Sequence, residues 1–212
     1  MNFGFQLDND TFKILESGVT FELKENKSRF ICHAEPITTR EEAEVFIQQM
    51  RQHYHDATHN CFAFRIGTGR DEITRFSDDG EPSGTAGKPI LAAIIGHELT
   101  NVIVIVTRYF GGIKLGTGGL VRAYGRVTAE TLSRASVKQQ FITIVVEIKC
   151  PYPVLSAVMH GIELYHGEIV RSDYLENVHM DIRIRRQKLS NFNQFIIDHT
   201  SGKVKPKVKK SV

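Results

Sequence analysis

Two glycine-rich stretches constrain the folding of this chain more than any other feature of it: Ser77-Asp-Asp-Gly-Glu-Pro-Ser-Gly-Thr-Ala-Gly-Lys-Pro89 and Val106-Thr-Arg-Tyr-Phe-Gly-Gly-Ile-Lys-Leu-Gly-Thr-Gly-Gly-Leu-Val-Arg-Ala-Tyr-Gly125. Each follows a strand-like segment (Ile73–Phe76, Val102–Thr107) and precedes a helical one (Pro89–Leu99, and about Leu120 to Ser136). A strand that passes into a helix through glycines lets backbone N–H groups converge at the helix start, a place that attracts anions and phosphate above all. The second stretch adds Arg108 before the loop, Lys114 within it, and Arg122 and Arg126 one helical turn apart beyond it. The phosphate- or RNA-binding candidates are therefore Arg108, Gly111, Gly112, Lys114, Gly116, Gly118, Gly119, Arg122 and Arg126. The competing reading is that the glycines only permit tight turns and close helix–strand packing. Familiar nucleotide motifs are absent. A P-loop needs a glycine where Pro82 stands and a Ser or Thr where Pro89 stands, and the third glycine of a dinucleotide fingerprint is Val121.

The remaining pattern supplies the rest of an α+β chain. Val19–Glu25 and Arg29–Ile37 read as paired strands, and Thr39-Arg-Glu-Glu42 is a capping box opening a helix with Ala43, Phe46, Ile47 and Met50 on one face. Asn60–Ile66 is a further strand, joined to Ile73–Phe76 by the turn Gly67-Thr-Gly-Arg-Asp71. Residues 1–15 are weakly patterned and read as a loose arm or an edge strand. Around Val137–Gln140 the pattern restarts: strand Phe141–Ile148, helix Pro153–Tyr165, strands Glu168–Tyr174 and Val178–Ile184, helix Lys188–His199, and a last strand near Val204–Val208. That order is a split βαβ, ferredoxin-like unit. The expected domains are residues 1–137 and residues 138–212.

Charge separates along the same line. Residues 1–106 carry 10 basic and 16 acidic side chains, residues 107–137 carry 5 and 1, and residues 138–212 carry 12 and 7. The C-terminal tail holds Lys203, Lys205, Lys207, Lys209 and Lys210 without an acid, which reads either as a solvated tail or as a non-specific contact to a polyanion such as RNA. No apolar window approaches the ~18 residues of a membrane span, and the N-terminus lacks a basic segment followed by an apolar one. Cys32, Cys61 and Cys150 are odd in number and widely spaced, which fits reduced thiols. These features together predict a cytoplasmic protein with no membrane partner.

Other chemistry is thinner. Asp78, Asp79 and Glu81 could form a ligand or magnesium cleft, although Asp-Gly and Glu-Pro also make ordinary turns. His53, His55, His59 and Cys61 form an H-x-H-x3-H-x-C cluster whose spacing is none of the usual zinc sets, so no metal is expected. No nucleophile–base arrangement can be assembled, and neither a catalytic residue nor a cofactor is expected.

Ser77–Pro89 and Val106–Gly125 closely resemble the paired signature blocks of the IMPACT/YigZ family, and Ala57-Thr-His-Asn-Cys-Phe-Ala63 resembles its shorter upstream block. The resemblance covers residues 15–137 strongly, and the remainder is similar to the small C-terminal domain of bacterial members. It implies an N-terminal domain of ribosomal-protein-S5-domain-2-like fold and a ferredoxin-like C-terminal domain, both similar to the last two domains of elongation factor G. It also implies a translation-linked role without an established enzymatic activity. The expected function is therefore a non-enzymatic regulator that binds RNA or the ribosome through the basic glycine loop and the lysine tail. The alternative is an enzyme acting on a small phosphorylated or nucleotide-like ligand, which requires the acidic block and the glycine loop to line one cleft.

Overall fold

A computed structural model describes residues 10–69 and 72–209. Residues 1–9 of the expected arm, Arg70 and Asp71 of the turn, and Lys210 of the tail lie outside the described residues. Contacts divide the described residues into two compact units, one within residues 12–140 and one of residues 141–209 together with Asp10 and Thr11. Both mix helices and sheet, so the chain is α+β with two domains.

In the unit of residues 12–140, five antiparallel strands form one sheet: β2 (Val19–Glu25), β3 (Ser28–Pro36), β4 (His59–Ile66), β5 (Ile73–Ser77) and β6 (Val102–Tyr109), in the order β2-β3-β6-β4-β5. β6 is central and buried from Val102 to Arg108, as its uninterrupted β-branched run requires. One face of the sheet carries Phe30, Cys32, Ala34, Cys61, Ala63, Val104 and Val106, which pack against α2 (Gly87–Gly96) and α3 (Gly116–Ser133). The other face presents Phe62, Phe64, Ile103 and Ile105 to Ala43 and Ile47 of α1 (Arg40–His53). The alternation of apolar side chains along each strand thus feeds two cores, one on each side of the sheet. The capping box is present at the start of α1: Glu42 N–H donates to the Thr39 hydroxyl and the Glu42 carboxylate accepts from the Thr39 N–H.

Two elements differ from expectation. α3 begins at Gly116, four residues before the expected start, so Gly116, Gly118 and Gly119 form its first turn and not a loop. Helix propensity argues against that start, but Leu120, Ala123, Tyr124 and Val127 bury one face of α3, and tertiary packing overrides propensity. The segment where the pattern restarts is also ordered: β7 (Val137–Phe141) pairs with β1 (Thr11–Leu15) in a two-stranded sheet.

The other unit has the strand order β11-β8-β10-β9, all antiparallel, from β8 (Thr143–Cys150), β9 (Glu168–Tyr174), β10 (Val178–Arg185) and β11 (Lys207–Val208). With α4 (Leu155–Leu164) between β8 and β9 and α5 (Leu189–His199) between β10 and β11, this is the ferredoxin-like order. Strict alternation in β10 buries Val178, Met180, Ile182 and Ile184 against Val158, Ile162, Phe192 and Ile196 of the two helices. Val204 joins this core, so the lysine segment is anchored before β11 begins. Among the described residues, no helix is long and apolar enough to cross a membrane.

Candidate anion-binding cleft

The two glycine-rich stretches receive their helix N-termini differently. At α2 the chain supplies its own anion. The Asp78 carboxylate accepts N–H bonds from Gly84 (2.8 Å), Ala86 (3.0 Å) and Gly87 (2.8 Å). Burial alone would raise the Asp78 pKa, but these three N–H groups and Lys88 hold it below its ordinary value. Gly87 is required here, because a Cβ would lie 2.9 Å from the Ser77 carbonyl oxygen. The first stretch is therefore a closed turn whose helix start is already occupied by a side chain.

Asp79 is committed as well. Its carboxylate accepts from the Asn60 N–H at 2.7 Å and from Arg51 at 3.1 Å. Glu81 points elsewhere, into the interior: its Oε1 accepts from Arg108 at 2.6 Å and from the Tyr124 hydroxyl at 2.8 Å. The three carboxylates of the candidate ligand or magnesium cleft thus have three separate sets of partners. Among the described residues, no group of three or more His, Cys, Asp or Glu side chains is placed to hold a metal ion.

Arg108 is placed by β6. Register sets it beside Phe30 of β3 and His59 of β4, with its side chain only 6% exposed against 3% for Glu81. Its second guanidinium nitrogen reaches the Ser28 hydroxyl at 3.3 Å, and the group lies 5.4 Å from the Phe30 ring centroid and 5.5 Å from that of Phe110. This cation is paired inside the protein and does not stand on the surface.

At α3 no side chain caps the helix and no acidic residue stands in its first turn. The chain reaches that turn through Gly112 (φ +84°) and Gly116 (φ +69°), both in the region that favours glycine. Gly111 is needed for a different reason: a Cβ there would lie 2.1 Å from the carbonyl of Lys27. The N-terminal turn of α3, with exposed Lys114, lines a cleft of about 460 Å³ whose other walls include Glu81, His59, Arg108, Phe110 and Leu120. One residue of the acidic block and the glycine loop therefore do line one cleft. Arg122 and Arg126 lie elsewhere on α3, in a second, smaller cleft of about 220 Å³ with Glu25, which approaches Arg126 to 3.7 Å.

His59 donates Nδ1–H to the Asp79 carbonyl oxygen at 2.8 Å, an acceptor that fixes the proton on that nitrogen. Its Nε2 lies 3.8 Å from Glu81 Oε2. Cys61 is buried, its sulfur 3.0 Å from the Asp78 carbonyl and 3.4 Å from the Tyr124 hydroxyl, and burial pushes its thiol pKa up strongly. Cys32 is likewise pushed up to about 12 by burial. All three cysteines are free and buried, and behave as small apolar residues. The histidine cluster does not assemble: His53 packs its edge on Tyr54, while His59 and Cys61 turn to backbone carbonyls. Tyr124 and Ser28 completed this site without any sequence signal, since nothing local marks either as a partner of Glu81 or Arg108.

In the ferredoxin-like unit, Lys203, Lys205 and Lys207 line a groove of about 400 Å³ with Lys149, His179 and Glu147. Lys209 is paired with Asp181 at 2.6 Å.

Comparison with known proteins places this geometry. The Impact N-terminal domain family matches residues 26–132, and a domain of unknown function matches residues 148–203. The IMPACT family member YvyE of Bacillus subtilis is 37% identical over 192 residues, covering 91% of this chain and 88% of that protein. The IMPACT family member YigZ of Escherichia coli is 34% identical over 194 residues, covering 91% and 95%. A solved structure described as a hypothetical protein is 32% identical with a TM-score of 0.72, covering 96% of this chain and all of that one.

Proposed function

The chain belongs to the IMPACT family, and from that premise we propose that it is a non-enzymatic, translation-associated cytoplasmic factor that binds RNA or the ribosome through phosphate contacts. The observation that carries this reading is the gathering of Lys149, Lys203, Lys205 and Lys207 around one groove, where Glu147 is the only acid among the described residues that line it. Clustered ammonium groups on an exposed sheet edge suit a phosphate backbone and carry little base readout. Exposed Lys114 and Arg122 on the glycine-loop unit add cations of the same kind. Arg108 is left out of this role, because its charge is already neutralised by Glu81.

Ribosome co-sedimentation and single-stranded RNA titration across a salt series test the reading. Each phosphate contact removed lowers the slope of log K against log salt by about 0.7, so the triple change Lys203→Ala, Lys205→Ala and Lys207→Ala flattens it by about 2.1. An unchanged slope in a folded triple variant refutes the groove as the contact.

A second reading is favoured by the cleft at α3, where Glu81 and the glycine loop meet. It is a site for a small phosphorylated ligand. Its magnesium component finds no support, since Asp78 and Asp79 are bonded to backbone amides away from Glu81.

A further inference from the structure

We propose that the cleft at the start of α3 is a binding site for a nucleoside monophosphate with an amino-bearing base. This rests on the small-ligand reading of that cleft and is independent of the lysine groove.

Three features of the wall select the ligand. The first is the basic part. An 18-residue helix presents the first turn Gly116-Thr-Gly-Gly119 without a side-chain cap or an acid, with Gly116 and Thr117 on the cleft and exposed Lys114 beside them. Unsatisfied N–H groups and an ammonium together suit a phosphate group. The contrast with α2 is internal to the molecule: there Asp78 already performs that task.

The second feature is a carboxylate oxygen to which no side chain among the described residues donates. The Glu81 side chain is 97% buried, and its Oε1 is occupied by Arg108 and Tyr124. Oε2 makes no hydrogen bond among the described residues and faces His59 Nε2 at 3.8 Å, too far for a direct bond. A carboxylate oxygen without a hydrogen-bond donor at the cleft wall calls for a ligand N–H or O–H, and an exocyclic amino group supplies one.

The third is the apolar wall between these groups. Phe110 is 45% exposed and stacked under Arg108, and Leu115, Leu120 and Pro82 complete a surface on which a flat ring can lie. At about 460 Å³ the cleft falls within the roughly 300–1,000 Å³ of small-molecule sites. Its fixed charges are Arg108, Lys114 and Glu81, which leave an excess of one positive charge for an anion.

Isothermal titration of the full chain with AMP, IMP, adenosine and inorganic phosphate tests the site. AMP is expected to bind saturably, at least tenfold more tightly than adenosine or inorganic phosphate. IMP, which presents a carbonyl where AMP has its amino group, is expected to bind at least tenfold more weakly than AMP. Lys114→Ala, an exposed change that does not touch the core, is expected to weaken AMP at least tenfold and leave adenosine unchanged. The triple lysine variant of the groove is expected to bind AMP as the parent does, so failure of the RNA reading and failure of this one are separable. No saturable AMP binding at millimolar concentration, equal binding of inorganic phosphate, equal binding of IMP, or indifference to Lys114→Ala would each overturn the proposal.

Discussion

Removing Arg108 alone should unfold more than it disconnects from any ligand. In Arg108→Ala the Glu81 carboxylate, 3% exposed, keeps only the Tyr124 hydroxyl on Oε1 and loses its cation. Breaking one partner of a buried ion pair costs about 3–5 kcal/mol, because the remaining charge is left uncompensated. The two ring contacts to Phe30 and Phe110 vanish in the same change and act in the same direction. The assay must report on the unit of residues 12–140 alone, and amide exchange of β6 does so, since its central strand opens only with that unit. At 1.36 kcal/mol per tenfold, the expected loss is about 2–4 decades of protection in β6. The control is the double change Arg108→Met with Glu81→Leu, which removes both charges and fills similar volume. It should recover most of the loss, since replacing both partners by apolar groups is often near neutral. The reasoning is refuted if Arg108→Ala leaves β6 protection within half a decade of the parent, or if the double variant is no better than the single one.

Three further outcomes follow from the same geometry. The Asp78 pKa is depressed in the folded state, so the stability it contributes is present above its unfolded value of about 3.8 and is lost as pH falls through the lower folded value; Asp78→Asn should lower the melting temperature at pH 7, and the gap should narrow in acid below about pH 3.8. Gly111→Ala should cost about 1–3 kcal/mol in thermal denaturation, because its Cβ meets the Lys27 backbone at 2.1 Å and neither side can yield easily. Gly118→Ala, whose Cβ meets only the far end of Arg122 at 3.4 Å, should instead stabilise by up to about 1 kcal/mol through helix propensity.

What the sequence determined by itself is local or periodic. The Thr39–Glu42 box needs only residues three apart, and it is present as written. Alternation in β10 and the apolar run of β6 announced a strand with one buried face and a strand buried on both. The order of elements after residue 141 sufficed for a ferredoxin-like unit, because short connections and a hydrophobic face on every element leave few arrangements. Even the glycine stretches were legible as strand-to-helix junctions. Their chemistry was not. Asp78, Asp79 and Glu81 sit within four residues of one another, and proximity in sequence suggested one shared cleft. Turn geometry separates them, sending Asp78 to the start of α2, Asp79 to Asn60, and Glu81 inward. Arg108 looked like a surface cation because its neighbours are loop residues, yet its partner stands 27 positions away. That pairing exists only because β6 lies between β3 and β4, which sets Arg108 beside Phe30 and His59 and within reach of Glu81 and Tyr124. Strand order is a global property, decided by how two cores close on both faces of one sheet. A charge's partner, and with it the difference between a binding cation and a buried one, is decided at that level.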